Sequence, residues 1–243
     1  MKKLFALALT FALVAAIAAG CGKSAPAAKG TVKTGLAVVT SIANSADATA
    51  ADAGVAQGYS TIAAVTVDGS GKIVSCVIDA AQTNVNFGAD GAITTALDST
   101  FQTKNELGAA YGMKTASSIG KEWNEQADGF AKYVIGKTVD EVKGIAVSSD
   151  GLADDADLKA TITVHVGDFI KVVSQAAADA GDLGAKEGDK LGYGIVTNIE
   201  KSKDAAADAD GQAQAYSTYT IASFGSDGKI TSCAIDASQV NVT

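Results

Sequence analysis

The sequence contains no arginine, and proline, histidine and tryptophan each occur once among its 243 residues. Without a guanidinium fork, a phosphate group must be held by lysine, hydroxyl or backbone N–H groups. The 27 acidic residues outnumber the 19 basic ones and give a formal net charge of −8. This acidity disfavours nucleic acid and anionic lipid headgroups as partners.

Residues that would form a catalytic or metal centre are also scarce. The histidine, His165, has no neighbouring cysteine and no second histidine, and no CxxC motif is present. These absences argue against a structural metal site. Without a recognisable nucleophile and base pair, a hydrolase is also disfavoured, and we identify no catalytic residue.

One long apolar run is present, from Leu4 to Ala18 after two lysines, and it is typical of an export signal over residues 1–20. The following Ala18-Ala19-Gly20-Cys21 resembles the lipobox of bacterial lipoproteins. That resemblance implies lipidation of Cys21 and attachment to the extracytoplasmic face of the cell membrane. Residues 21–34 then form a tether. The alternative is an ordinary signal peptide followed by an incidental cysteine.

A block of about fifty residues occurs twice, at 35–86 and 192–243. Each copy has two β-branched and aromatic runs around a short turn, Asp68 to Lys72 in the first and Gly225 to Lys229 in the second. This pattern predicts a β-hairpin preceded by one more strand, 36–42 or 193–199. Since one hairpin is marginal in water, we expect the copies to pack as pseudo-symmetric halves.

The segment between the copies, residues 96–181, is predicted to be a helical insert. Capping-box spacing begins at Thr103 and at Thr138. Apolar residues at steps of three and four predict a helix over 120–135 with Trp123 buried, and another over 168–180 with Asp168 near its N-cap. Short strands are expected at 82–87, 92–95 and 143–147, and a β-run over 160–166. The fold class is therefore α+β, with one domain over 35–243.

Cys76 and Cys233 occupy equivalent places in the two copies. An even pair in an exported protein is compatible with a disulfide. The apolar neighbours on each strand favour two buried free thiols instead. The sequence leaves both possibilities open.

Several short motifs resemble those of the bacterial FMN-binding domain family and its membrane-anchored lipoproteins. They are Gly71-Lys72-Ile73, Gly228-Lys229-Ile230, Tyr111-Gly112-Met113-Lys114 and the segment from Lys121 to Gln126. In that family, Ser-Gly-Ala-Thr precedes a helix and its threonine carries the flavin phosphate. Here Ala160-Thr161 is kept but Leu158-Lys159 replaces Ser-Gly. The resemblance implies that FMN is a possible cofactor, and the replacement argues against its covalent attachment to Thr161.

The site expected from these features involves Tyr59, Thr161 and His165, which we interpret as contacts for a small planar ligand. Tyr59 and its counterpart Tyr216 are flanked by hydroxyl side chains that can bond the edge of a stacked ring. Ordinary cross-strand packing is the alternative for both tyrosines. The functional expectation is a non-enzymatic surface lipoprotein that binds a planar ligand or takes part in extracellular electron transfer. The alternative is a structural or interaction lipoprotein that has lost cofactor binding.

Overall fold

The computed structural model describes residues 30–243. The expected export signal, the expected lipidation site Cys21 and most of the expected tether lie outside these residues. The part of the tether that is described is ordered, because Val32 is buried and the first strand begins at Lys33.

Six strands form two antiparallel sheets, which confirms an α+β fold with repeated hairpin sheets. Sheet 1 contains β1 (Lys33–Ser41), β2 (Gly54–Val67) and β3 (Ile73–Phe87), in that order. Sheet 2 contains β4 (Lys190–Asn198), β5 (Ala213–Phe224) and β6 (Ile230–Val242) in the same arrangement. The expectation of a separate strand at 82–87 is wrong, because β3 continues unbroken to Phe87.

The two sheets have the same register, residue for residue. Leu36 pairs with Ala64 in sheet 1, and the equivalent Tyr193 pairs with Ile221 in sheet 2. Even the irregularity before the hairpin turn recurs, between Thr66 and Val67 and between Ser223 and Phe224. The sequence repeat is therefore also a structural repeat.

The sheets pack through equivalent faces, with β1 beside β6 and β3 beside β4. Gly58 provides the close approach, since a Cβ there would lie 3.5 Å from both Ala215 and Val240. The hydroxyls of Thr34 and Ser232 form a buried hydrogen bond of 2.9 Å across the interface. A small apolar cluster that includes Ala56, Val85 and Ala213 joins the sheets.

The helical elements of the described chain lie between the two sheets in sequence. They are α1 (Lys104–Leu107), a 3₁₀ turn (Gly108–Tyr111), α2 (Trp123–Tyr133), α3 (Val139–Lys143), α4 (Ala156–Lys159) and α5 (Gly167–Ala178). Both expected capping boxes are present, Thr103 with Glu106 and Thr138 with Glu141. Trp123 is buried, as its position on the periodic face predicts.

Two further local expectations are wrong. Residues 143–147 are not a strand: Lys143 ends α3, and Val147 makes a single bridge to Ala153. Residues 160–166 do not form a strand either, and the Gln126 side chain accepts the N–H groups of Thr163 and Val164 in place of a neighbouring strand. Asp168 lies near the N-cap of α5, as expected, because the N-cap is Val166 and Asp168 is in the first turn.

Helices cover the outer face of sheet 1, the face that points away from sheet 2. Helix α5 packs on β1 and β2, and α2 packs on β3. The contact at Gly35 is so close that an added Cβ would lie 1.9 Å from the carbonyl oxygen of Ala176 in α5. The main core between these layers includes Phe130 and Phe169, whose rings meet edge to face at 5.5 Å.

The two cysteines of the repeat are free thiols. Cys76 packs against the main core, and burial raises its pKa to about 12. Cys233 is exposed on sheet 2. Within residues 30–243, no helix is long and apolar enough to cross a membrane.

Candidate ligand-binding site

A pocket of about 400 Å³ opens between sheet 1 and the helical layer. We call it the Lys104 pocket. The buried polar residues Thr61 and Lys104 lie among apolar and aromatic ones, and His165 and Asp168 are exposed. Its lining consists of Tyr59, Thr61, Lys104, Tyr111, Met113, Trp123, Thr163, Val164, His165, Asp168 and Phe169.

Lys104 is enclosed by aromatic rings. Its Nζ lies 4.6 Å from the ring centroid of Tyr59, 4.5 Å from that of Tyr111 and 5.2 Å from that of Trp123. Nζ also donates a hydrogen bond of 3.2 Å to the Tyr59 hydroxyl. Among the residues that the structure describes, no carboxylate forms an ion pair with this ammonium. The pocket therefore contains a positive charge without a directly bonded counterion.

Burial changes the acidity of both groups in this contact. Lys104 is only 6% exposed, and the loss of water lowers its pKa to about 8, although the charge of Asp79 acts in the opposite direction. Burial raises the pKa of Tyr59 to about 12, assisted by the nearby Tyr111. At neutral pH the pocket therefore holds a lysine that is mostly charged and a neutral phenol.

The backbone that carries Lys104 is fixed at both sides of the residue. Thr103 caps α1 and accepts the Glu106 N–H, while the Glu106 carboxylate accepts the Thr103 N–H. On the other side, the Asn105 side chain donates to the Ile78 carbonyl at 2.9 Å. These bonds attach α1 to the edge of β3 and direct Lys104 over Tyr59.

A polar cluster around the buried Asp79 lies behind Lys104 and connects the two sheets. Asp79 is 1% exposed, and its Oδ1 accepts the N–H groups of Ala80 and Asn105. Asn105 also donates to the hydroxyl of Tyr193 on β4 at 2.8 Å. Burial raises the pKa of Asp79, an effect partly offset by these hydrogen bonds. The Oδ2 atom of Asp79 and the Oδ1 atom of Asn105 have no hydrogen-bond partner.

The fully buried Gln126 of α2 positions the wall that carries His165. Its side-chain oxygen accepts the N–H of Thr163 at 2.8 Å and that of Val164 at 3.3 Å. Its amide nitrogen donates to the Ser117 hydroxyl and to the Lys121 carbonyl. One side chain therefore holds three segments, and His165 emerges at the pocket mouth, exposed beside Asp168.

The structure brings two of the three expected site residues together. Tyr59 and His165 line the Lys104 pocket, whereas Thr161 does not. The Thr161 hydroxyl donates to the Leu158 carbonyl at 3.0 Å and packs beside Gly129. Tyr216, the counterpart of Tyr59, lies on sheet 2 and is 39% exposed.

Lys104, Tyr111 and Asp79 were not among the site residues expected from the sequence. One signal was available for Lys104: a lysine in the first turn of a capped helix opposes the helix dipole and needs another reason to be there. The proximity of Tyr111 and Asp79 depends on how α1 crosses the edge of β3. No local pattern in the sequence specifies that crossing.

A second cavity, of about 300 Å³, lies between loops of the two repeats. Val55, Phe87 and Ile93 contribute to its apolar lining, and Lys203 and Asp47 supply charge. It contains no cluster of aromatic rings around a charged group. Across residues 30–243, no group of three or more histidine, cysteine or acidic side chains is arranged to hold a metal ion.

Comparison with known proteins gives one partial match. The sequence is similar to a chlorophenol reductase from Desulfitobacterium hafniense, with 51% identity over 43 residues. This stretch is 18% of the present chain and covers 13% of the relative's length. No family model and no solved structure matches the sequence.

Proposed function

We propose that this chain is a non-enzymatic ligand-binding lipoprotein that holds a small planar aromatic anion in the Lys104 pocket. The observation that carries the proposal is the buried ammonium of Lys104, which three aromatic rings surround and which forms no ion pair with a carboxylate of residues 30–243. A buried charge is unfavourable unless it is paired, so an anionic ligand would improve the electrostatics of the pocket. The rings of Tyr59 and Trp123 supply surfaces on which a flat ring can stack.

Two kinds of ligand share this chemistry. FMN combines a planar ring system with a phosphate, and the family resemblance of the sequence supports it. A halogenated phenolate combines a planar ring with a negative oxygen, and the partial similarity to a chlorophenol reductase supports that class. Bound flavin would give the protein a part in extracellular electron transfer.

Covalent attachment of flavin to Thr161 is not part of the proposal. The threonine hydroxyl is engaged with the Leu158 carbonyl and lies outside the pocket lining. Mass spectrometry of the Thr161 peptide after co-expression with a flavin transferase would detect an adduct. We expect the unmodified peptide.

The proposal also includes the domain architecture and the membrane location that the sequence predicts. Residues 96–181 would be a helical insert between two copies of an ancestral β unit, within an FMN-binding-like domain. Cys21 would carry the lipid that attaches the domain to the extracytoplasmic membrane face. Radiolabelled fatty acid should be incorporated into the intact protein but not into the Cys21→Ser variant.

Fluorescence of the single tryptophan provides a direct test of binding, because Trp123 lies in the pocket. We expect saturable quenching by FMN or by pentachlorophenolate, and at least a tenfold weaker affinity in Lys104→Met, which corresponds to about 1.4 kcal/mol. Lys137→Met is a matched control, since Lys137 lies 4.4 Å from the Tyr133 ring but outside the pocket. Equal weakening in both variants would argue against a specific role for Lys104.

The alternative function is an interaction lipoprotein that has lost cofactor binding. It is favoured by a different observation, the uncovered face of sheet 2. In that case neither planar anion would change Trp123 fluorescence at concentrations up to about 1 mM, the limit of weak specific binding.

A further inference from the structure

The outer face of sheet 2 is apolar and open to solvent. We define it by Gly194 and Val196 of β4, Thr218 and Thr220 of β5, and Cys233, Ile235 and Ala237 of β6, which neighbour one another across the strands. Val196 is 70% exposed and Ile235 is 68% exposed. Large apolar side chains grouped in this way on a surface commonly mark an interaction site.

The internal repeat indicates what this face is suited to bind. Val196 and Ile235 are equivalent to Val39 and Ile78 of sheet 1, and Cys233 is equivalent to Cys76. In sheet 1 all three positions pack against the main core beneath the helices. The same surface of the same structural unit is thus covered by α5 and α2 in one copy and uncovered in the other.

The composition of the face favours a closely packed apolar helix. None of its seven residues is charged, although the whole chain has a net charge of −8. A Cβ at Gly194 would meet no atom within 4 Å, so a partner backbone can approach there. On sheet 1, the backbone of α5 approaches the sheet closely in this way, with Ala176 against Gly35.

The area of the face favours a helix over a second copy of the chain as the partner. Three strands about 4.8 Å apart, each contributing six or so residues of about 3.3 Å, give an area on the order of 300 Å². A stable dimer needs roughly 800 Å² from each partner, so two such faces are too small. A helix of about twelve residues is about 18 Å long and 10 Å wide, which matches the face.

We propose that the outer face of sheet 2 is a docking surface for an amphipathic helix of a partner protein. The apolar stripe of that helix resembles the buried stripe of α5, in which valine and alanine predominate and one aromatic ring is present. Valine and alanine suit a flat face that contains glycine and alanine. This interaction is independent of ligand binding in the Lys104 pocket.

A helical peptide with the α5 sequence, residues 167–178, is a suitable probe because sheet 1 already accepts that sequence. The peptide would be held helical by a side-chain staple and labelled for fluorescence anisotropy. We expect saturable binding to the intact protein and slower reaction of Cys233 with maleimide in the complex. Val196→Asp and Ile235→Asp should each weaken binding at least tenfold, because each places a charge against the apolar stripe.

Val74→Asp is the matched control, since Val74 is 39% exposed on sheet 1 and lies outside the proposed surface. It should leave binding unchanged, and circular dichroism should show that all three variants are folded. No saturable binding up to about 1 mM, or equal weakening in Val74→Asp, would overturn the proposal. Concentration-dependent dimerisation that Val196→Asp abolishes would also overturn it, in favour of a second copy as the occupant.

Discussion

At the scale of single residues, two effects on the charge of Lys104 oppose each other. Burial removes water from the ammonium, and the charge of Asp79 favours it. The pKa falls to about 8, so the loss of hydration outweighs the charge of Asp79. The cation–π contacts also favour the ammonium, each by about 0.5 to 2 kcal/mol depending on how much water is excluded. A ligand anion in contact with Nζ would replace part of that hydration.

The lowered pKa predicts how binding depends on pH. Below about pH 8 Lys104 is charged and attracts an anion, and above it the neutral amine does not. We expect the affinity for pentachlorophenolate to fall as pH rises through this region. Lys104→Arg should remain charged and bind through about pH 10, because a guanidinium does not lose its proton there. Trp123 quenching measured across this range checks both, and a flat wild-type profile would contradict the assignment.

Asp79 gives a second prediction, about stability. Burial raises its folded pKa above the unfolded value, so its contribution to stability is greatest at low pH and declines as pH rises through the two pKa values. At neutral pH the buried carboxylate therefore destabilises the fold. Asp79→Asn should raise the Tm at pH 7 and have less effect near pH 4, since the asparagine oxygen can still accept both N–H groups.

Asp236→Asn is the control for this change, because Asp236 occupies the equivalent position in sheet 2 and is exposed. It should leave the Tm unchanged. The Asp79 variant should also move the pH midpoint of ligand binding downwards, since the carboxylate normally raises the Lys104 pKa. A lower Tm in Asp79→Asn at pH 7 would contradict this prediction and would show that the interactions of the charged carboxylate, including its attraction to Lys104, outweigh its desolvation.

At the scale of secondary-structure elements, strong local sequence patterns were sufficient to predict a helix or a hairpin, and weak patterns were not. The hairpins follow from paired β-branched runs around Gly71 and Gly228, which have positive φ in the structure. Helix α2 follows from its apolar periodicity. Residues 160–166 also have the pattern of a strand, but the side chain of Gln126, distant in sequence, accepts the N–H groups of Thr163 and Val164, which are then not free for sheet pairing.

The candidate site could likewise be predicted only in part from the sequence. Tyr59 and His165 stand out because of their residue types and neighbours. Lys104 acquires its role only when α1 packs on the edge of β3, a contact between segments that no local pattern connects. Thr161 was selected by a family motif, and its local hydrogen bond turns the hydroxyl away from the pocket.

The contact between α5 and β1 gives a prediction at this scale. Gly35→Ala would place a Cβ against the Ala176 backbone, which cannot move without displacing α5. We expect a loss of about 3 kcal/mol in the free energy of unfolding, the upper end for overpacking. Denaturant titration measures it. Gly192→Ala, the equivalent change in sheet 2, meets only the Phe224 ring at 3.1 Å and should destabilise much less.

At the scale of the whole molecule, the two sheets depend on each other because they bury equivalent faces together. Sheet 1 has helices on one side and sheet 2 on the other, so its strands are buried on both faces. Sheet 2 has one protected face and one open face. Because helices cover only one of the two repeated sheets, the candidate pocket lies on sheet 1 and the proposed docking surface lies on sheet 2.

Removal of sheet 2 tests this dependence. A chain that ends at residue 188 would expose Ala56, Ile62 and Val85, which are buried at the sheet interface. We expect it to bind a hydrophobic dye and to lose cooperative thermal unfolding. A truncated chain that unfolds cooperatively at the Tm of the intact protein would show that sheet 1 and the helices are an independent unit.

The identical registers of the two sheets also have a kinetic consequence. Each hairpin closes over a short turn, so its loop-closure entropy is small and both hairpins can form early and separately. The hydrogen bond between Thr34 and Ser232, in contrast, joins residues 198 positions apart. The rate-limiting step of folding should therefore be the encounter of two preformed halves, slowed by the chain that separates them.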